Sequence, residues 1–321
     1  MHSRAYRKGV LEAEGFALAE VSEHLDQPET VIWVDLCNPS GEQLDELKDE
    51  LGLHELAVED ALEPHQRPKL DHYASHLFLS CHIVDLAGDG VSLRITEIDA
   101  FINERWFITV RKGREIDIDT VVRRWDRSPD LAVHGVAYLL YGLLDVVGDS
   151  YFSVIDTFDE FYEGVSEQLF AERLLEPASQ RERFAARQSL VKLHRLVNGL
   201  REAVSSILRK DTLVPSALEP YYRDVYDHLL RANEATDTLR ELVSTIVETN
   251  LSLRDFRQNQ VMKQVTSWAA IIAVPTLITG YYGMNVRYPG INTAWGFLMS
   301  LAMIFGCSAA LFALFRRKGW L

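Results

Sequence analysis

Two uncharged stretches near the C-terminus constrain this chain more than any other feature. No Asp, Glu, Lys or Arg occurs between Lys263 and Arg287, and none again between Arg287 and Arg316. Each stretch reaches the ~20 residues that an α-helix needs to cross a hydrocarbon core about 30 Å thick. Where they meet stands Tyr282-Gly283-Met284-Asn285, followed closely by Pro289 and Gly290. Backbone that leaves the helix at membrane depth persists only where it is buried in protein or faces a water-filled path. The pattern reads as two transmembrane helices that turn around at a pore mouth.

Charge sets the expected orientation. Lys263 precedes the first span and Arg316, Arg317 and Lys318 follow the second. The positive-inside rule places both ends in the cytoplasm of a cell membrane, with the short connecting loop outside. Residues before about 262 carry the acidic excess, and the formal net charge of the whole chain is −14. Such a balance argues against nucleic acid as a partner, because a basic patch is the electrostatic requirement there, and it suits a cation-rich surface instead. The first twenty residues lack an apolar core and do not read as a signal peptide. Cys37, Cys81 and Cys307 lie far apart without metal-ligand spacing, and read as free thiols in a reducing compartment.

Upstream of the spans, the expected class is an α+β cytoplasmic domain, a mixed sheet with flanking helices. Residues 31–36 form a strand, 41–52 a helix, and 76–86, 91–101 and 106–110 three further strands. Gly88-Asp89-Gly90 supplies turn chemistry for a hairpin between the first two of these. Residues 136–170 and 182–208 have apolar side chains at three- and four-residue spacing, with Pro177 between them, and read as a helical hairpin. From 221 to 274 neither Gly nor Pro occurs, and Val225, Ala232, Leu239, Ile246 and Leu253 recur every seven residues, with Leu242 and Phe256 beside them. That is a coiled-coil or bundle seam, on a helix that runs unbroken into the first span. The expected division is therefore a cytoplasmic α/β domain at 1–130, a helical hairpin at 131–215, a stalk helix at 216–263, a first spanning helix at 264–285, a loop at 286–293, a second spanning helix at 294–315 and a basic tail at 316–321.

Tyr282-Gly283-Met284-Asn285 at the end of one span, a second span soon after, and the basic tail Arg316-Arg-Lys-Gly-Trp-Leu321 together resemble the CorA family of magnesium channels. So do Glu59-Asp60-Ala-Leu-Glu-Pro-His-Gln-Arg-Pro-Lys69, Tyr222-Arg-Asp-Val-Tyr-Asp-His228 and Asn259-Gln-Val-Met-Lys263. The segments occur in order along the whole chain. The resemblance implies a funnel-shaped homopentamer in which five first helices line the pore. It implies a divalent-cation channel for Mg²⁺ and Co²⁺, with Tyr282, Gly283, Met284 and Asn285 as selectivity filter. The pore-lining face would be Glu248, Leu251, Asn259, Met262, Val265, Ala269, Ala273, Thr276 and Gly280. Met262 and Val265 would form a hydrophobic constriction, Thr276 a ring of hydroxyls, and Asn259 and Glu248 cation sites in the funnel. Independently of any family, two spans cannot enclose a pore, so an oligomer embedded in lipid is required.

The resemblance also implies regulatory Mg²⁺ bound between subunits by carboxylates, onto which Glu59, Asp60, Asp145, Asp224 and His228 map. Family members often carry an acid in the loop after Gly-Met-Asn; here that loop has Arg287 as its only charged residue. External capture would then fall to Asn285 alone. No Walker motif, dinucleotide fingerprint, HExxH or nucleophile elbow occurs, so the chain does not read as an enzyme. Two alternatives stay open: a zinc or broader divalent-cation transporter of the same superfamily, and a membrane-anchored coiled-coil scaffold.

Overall fold

The computed structural model describes residues 1–64, 66–113, 118–170, 177–210, 213–284, 287, 289–291 and 293–321. They fall into two compact units, Met1–Ser244 and Thr245–Leu321.

The first unit is built on one seven-stranded mixed sheet with spatial order β2-β1-β3-β7-β6-β5-β4. Its strands are β1 (His2–Arg7), β2 (Val10–Glu14), β3 (Thr30–Cys37), β4 (Lys69–His72), β5 (Leu77–Leu86), β6 (Leu93–Ile102) and β7 (Trp106–Lys112), and its helices include the short α1 (Val21–Leu25) and α5 (Pro129–Ala132). β3 and β7 pair in parallel, with Val34 opposite Ile108, and the remaining neighbours are antiparallel. The expected hairpin is β5–β6, in register from Leu77↔Ile102 to Leu86↔Leu93. At its turn Asp89 Oδ1 accepts from the main-chain N–H of Val91 and Ser92 at 3.0 and 2.8 Å.

Alternation along β3 shows how the sheet is covered on both faces. Ile32, Val34 and Leu36 enter one core with Leu44 and Leu47 of α2 (Gly41–Leu51) and Ala57, Val58 and Ala61 of α3 (Glu55–Leu62). Trp33, pointing the other way, meets Trp125 of α4 (Asp119–Asp126) edge-on, with ring centroids 4.6 Å apart. Trp125 Nε1 donates to the Leu139 carbonyl at 2.9 Å, which fixes α4 on the start of α6 (Val136–Phe170). On this second face Val84 N donates to Ser150 Oγ of α6 and Leu93 N to Ser189 Oγ of α7 (Pro177–Lys210). Helix α2 is bounded as its sequence dictates: Ser40 and Gln43 form a capping box, and Gly52 closes it with φ +68°. Pro177 opens α7 instead of merely separating two helices, in keeping with a residue whose missing N–H is harmless in a first turn.

The seven-residue seam lies on α8 (Glu219–Tyr282). Val225, Ala232, Leu239 and Ile246 are buried, and their companions are Tyr222, Leu229, Thr236 and Val243. Leu253, the last of the seven-residue series, is only half-buried, as is Leu242 beside it, and Phe256 is 60% exposed, so the buried seam ends at Ile246. Tyr222 lies 6.3 Å from Tyr141 of α6, Phe152 of α6 meets His228 edge-on, and Thr236 Oγ1 is 3.1 Å from His194 Nδ1 of α7. The stretch of α8 up to Ser244 is therefore packed by its own chain.

The second unit holds the rest of α8 and α9 (Ala294–Arg317), with Trp268 and Phe312 in ring contact at 6.4 Å. Of the apolar windows long enough to span a bilayer, the one in α6 is 67% buried in the protein, whereas those in α8 and α9 are 6% and 0% buried. Core burial explains the hydropathy of α6. Nothing among the described residues does so for the other two.

Candidate ion pathway and regulatory acids

All nine residues assigned to the pore-lining face are exposed on α8: Glu248, Leu251, Asn259, Met262, Val265, Ala269, Ala273, Thr276 and Gly280. The half-buried or buried residues of the spanning part are Ser267, Ala270, Ile271, Val274, Pro275, Ile278 and Tyr282. They recur at three- and four-residue steps, so one stripe of the helix is covered and the candidate face is not. An open groove of about 700 Å³ runs along that face, lined by Ala273, Thr276, Leu277, Gly280, Tyr281 and Met284 among others.

Thr276 illustrates the chemistry available there. Its hydroxyl donates to the Ile272 carbonyl at 3.0 Å, one turn back. Its hydrogen is thereby committed, and only oxygen lone pairs face outward. The water shell of a hydrated cation presents O–H groups outward and needs acceptors, which is what this hydroxyl offers. One residue earlier, Pro275 lies inside α8 and supplies no N–H to the Ile271 carbonyl, a local softening of the helix beside the candidate face. Met262 and Val265, at 59% and 61% exposure, present apolar side chains one to two turns before Ala269.

At the mouth, α8 ends at Tyr282, and Gly283 N still donates to Thr279 O at 2.8 Å. Glycine at 283 meets a steric limit: a Cβ there would lie 2.9 Å from the Thr279 carbonyl oxygen. Met284 N bonds to Tyr281 O at 3.3 Å, a tighter final turn. Asn285, the assigned selecting residue, lies outside the described residues. Sequence reading missed the device that returns the chain into α9. Gly290, at φ +90°, lies so close to Gly296 that neither has room for a side chain, and Thr293 Oγ1 donates to Gly290 O at 2.8 Å while accepting from Gly296 N at 3.2 Å. The signal was present as two glycines six apart with a Thr N-cap before the helix.

The five residues assigned to regulation occupy three places in the first unit. Glu59 is exposed on α3, and beside it Asp60 Oδ2 accepts from Lys69 Nζ at 2.6 Å. Lys69 also reaches Asp71 Oδ2 at 2.8 Å. Partial burial alone would lower the Lys69 pKa, but its bonds to the two carboxylates outweigh that and raise it, so the ammonium stays charged. The main chain of the same helix end is held by Lys112, whose Nζ donates to Asp60 O at 3.1 Å and to Glu63 O, while pairing with the buried Glu97 and with Asp99 at 3.0 Å. Asp224 and His228 stand one turn apart on α8, with Asp224 Oδ1 3.7 Å from His228 Nε2. Asp145, 5% exposed on α6, is paired with Arg124, which also reaches Asp149 at 3.0 Å. Among the described residues no three His, Cys, Asp or Glu side chains converge as a metal site within one chain. Lys69 and Arg124, the basic partners of two assigned acids, had been given no role from sequence.

Comparison with known proteins places this arrangement. The family model described as CorA-like Mg²⁺ transporter protein matches residues 28–317. The chain is 29% identical over 273 residues to the cobalt/magnesium transport protein CorA of Thermotoga maritima, covering 84% of this chain and 77% of that one. It is 24% identical over 302 residues to the cobalt/magnesium transport protein CorA of Methanocaldococcus jannaschii, covering 91% and 92%. The fold matches the complete structure of the CorA magnesium transporter from Methanocaldococcus jannaschii with a TM-score of 0.79 at 21% identity, covering 99% of this chain and 98% of that one. It also matches the full-length CmaX protein with a TM-score of 0.72 at 20% identity, covering 100% and 98%. With the mixed sheet, the long helix and the two C-terminal apolar helices all present in one chain, this protein belongs to the CorA-like Mg²⁺ transporter family.

Proposed function

We propose that the chain assembles as a homopentamer in the cell membrane and conducts Mg²⁺, and with it Co²⁺, into the cytoplasm. The observation that carries this reading is the stripe of Ala269, Ala273, Thr276 and Gly280 on the uncovered part of α8, small or acceptor-bearing and leading to Tyr282-Gly283-Met284-Asn285. Mg²⁺ sheds water reluctantly, so a ring of neutral amides at Asn285 suits it better than a carboxylate cage: it can accept from the hydration shell without trapping the ion. Thr276 repeats the same chemistry deeper in the path. Met262 and Val265 form the constriction that closes by dewetting, and Asn259 and Glu248 collect cations on the cytoplasmic side. No chemical step drives transport. A divalent ion gains about 4.6 kcal/mol from 100 mV of membrane potential, twice the ~2.3 kcal/mol of a single charge. Arg316, Arg317 and Lys318 hold the C-terminus, and with it the first unit, in the cytoplasm.

Passive inward flow needs a brake, and Glu59, Asp60, Asp224 and His228 supply it. Cytoplasmic Mg²⁺ bridges these groups between neighbouring subunits and favours the closed assembly. When it leaves, unpaired carboxylates repel and the closed arrangement loses its advantage. Asp145, the fifth residue assigned to this role, stands apart from the brake because its buried carboxylate is already paired with Arg124.

The test is flux of Mg²⁺, Co²⁺ and Zn²⁺ into proteoliposomes holding the parent or Asn285→Ala. Mg²⁺ and Co²⁺ flux in the parent that collapses in the variant supports the reading. Zn²⁺ as the preferred ion would favour the broader divalent transporter, and no flux of any cation would leave a membrane-anchored scaffold.

A further inference from the structure

Lys69 holds Asp60 from within the same chain, in a way that lets it go. Its Nζ is 2.6 Å from Asp60 Oδ2, 2.8 Å from Asp71 Oδ2 and 5.6 Å from the centroid of the Phe78 ring. The ammonium thus has three supports, of which Asp60 is one. The Lys69 and Asp60 side chains retain 32% and 25% exposure. Contrast Asp35, fully buried, which receives Arg111 Nε at 2.9 Å and the second guanidinium nitrogen at 2.7 Å. Separating that pair would strand a charge in the core, at a cost of several kcal/mol. Giving up Asp60 strands nothing, because Lys69 keeps Asp71, the aromatic face and water.

The main chain around Asp60 is anchored separately. Lys112 takes the Asp60 and Glu63 carbonyls at the end of α3. The helix end is therefore fixed while the Asp60 carboxylate is exchangeable between an internal cation and an external one.

We propose that Lys69 competes with the regulatory cation for Asp60 and thereby sets the Mg²⁺ concentration at which the brake engages. The inference rests on the reading of Asp60 as a regulatory Mg²⁺ ligand. At low Mg²⁺ the ammonium occupies the carboxylate. Bound Mg²⁺ displaces it onto Asp71. Two effects act in one direction: Lys69 reduces the availability of the carboxylate, and its charge opposes a dication a few ångströms away. Asp71 acts in the opposite sense, drawing Lys69 away from Asp60 and adding negative charge near the ion.

The experiment is limited proteolysis of the full-length protein in detergent across a MgCl₂ titration, reading the midpoint of protection. Lys69→Gln is expected to lower the midpoint by about threefold, the scale of a part-exposed ion pair. Asp71→Asn is expected to raise it, and Lys48→Gln, which removes a lysine paired with Asp45, to leave it in place. The two opposed shifts keep the test informative if one variant folds poorly. A protected parent whose midpoint ignores Lys69→Gln and Asp71→Asn, or moves the wrong way in either, overturns the role of Lys69 alone. A parent that Mg²⁺ does not protect overturns the regulatory reading of Asp60 along with it.

Discussion

The Tyr222 hydroxyl donates to the main-chain oxygen of Ala137 at 2.7 Å, joining the first turns of α8 and α6 where both are buried. Tyr222 is one of the seam companions that the seven-residue spacing did not single out. Tyr222→Phe keeps the ring and leaves the Ala137 carbonyl unpaired. It is expected to cost about 1–2 kcal/mol. Thermal unfolding of the detergent-solubilised protein should register a midpoint several degrees lower, and an unchanged midpoint would mean the bond contributes nothing.

Thr276 is expected to act through its outward lone pairs. Thr276→Ser keeps the hydroxyl and the bond to Ile272, and should conduct like the parent. Thr276→Val, nearly the same shape, removes the acceptor and should slow Mg²⁺ flux into proteoliposomes by about threefold or more, the lower end of one net hydrogen bond. Equal flux from both variants would remove Thr276 from the path.

Arg124 neutralises a carboxylate that has little solvent of its own. Arg124→Met strands Asp145 and is expected to destabilise the fold by about 3 kcal/mol, while adding Asp145→Leu should recover most of the loss. The same pairing bears on regulation. Because its carboxylate is already matched, Asp145→Asn is expected to leave the Mg²⁺ midpoint of proteolytic protection unmoved. A raised midpoint would restore Asp145 as a ligand.

Acid should weaken the first unit through His76. Burial, with a smaller contribution from His54, lowers the His76 pKa from 6.5 to about 4. Its folded-state pKa is thus below the unfolded one, so the unfolded chain takes up a proton that the folded one refuses. Stability from this group is complete above pH 6.5 and is lost as pH falls through 6.5 towards 4. His82, also lowered chiefly by burial, acts in the same sense. Unfolding midpoints measured across that window should fall more steeply in the parent than in His76→Phe, and parallel curves would sink the assignment.

The sequence made legible those parts whose local pattern and tertiary role agree. Strands β3, β5, β6 and β7 carry buried β-branched and aromatic residues, and the β5–β6 turn carries its own glycines. Strands β1, β2 and β4 escaped because HSRAYR, VLEAE and KLDH are polar edge or near-edge segments, whose pairing comes from neighbours and not from hydrophobicity. Spacing found half of the α8 seam. Tyr222 and Thr236 were missed because a tyrosine and a threonine enter that core only when Ala137 and His194 are there to satisfy them. At the candidate site, the acids were readable as a motif on α3 and α8. Their cations were not, since Lys69 lies on β4 and Asp60 on α3, and Arg124 is 21 residues from Asp145.

The close approach of Gly290 to Gly296 has a consequence for how this turn can diversify. Substitution at either glycine displaces main chain before it introduces any new chemistry, and Thr293 is committed to capping the helix that follows. Variation is left to positions such as Arg287 and Ile291, both exposed. The turn thus separates inheritance into two classes, positions that keep its outline and positions that can be rewritten to change its charge. An exchange of Arg287 for an acid is the substitution this outline accommodates at no cost to its frame.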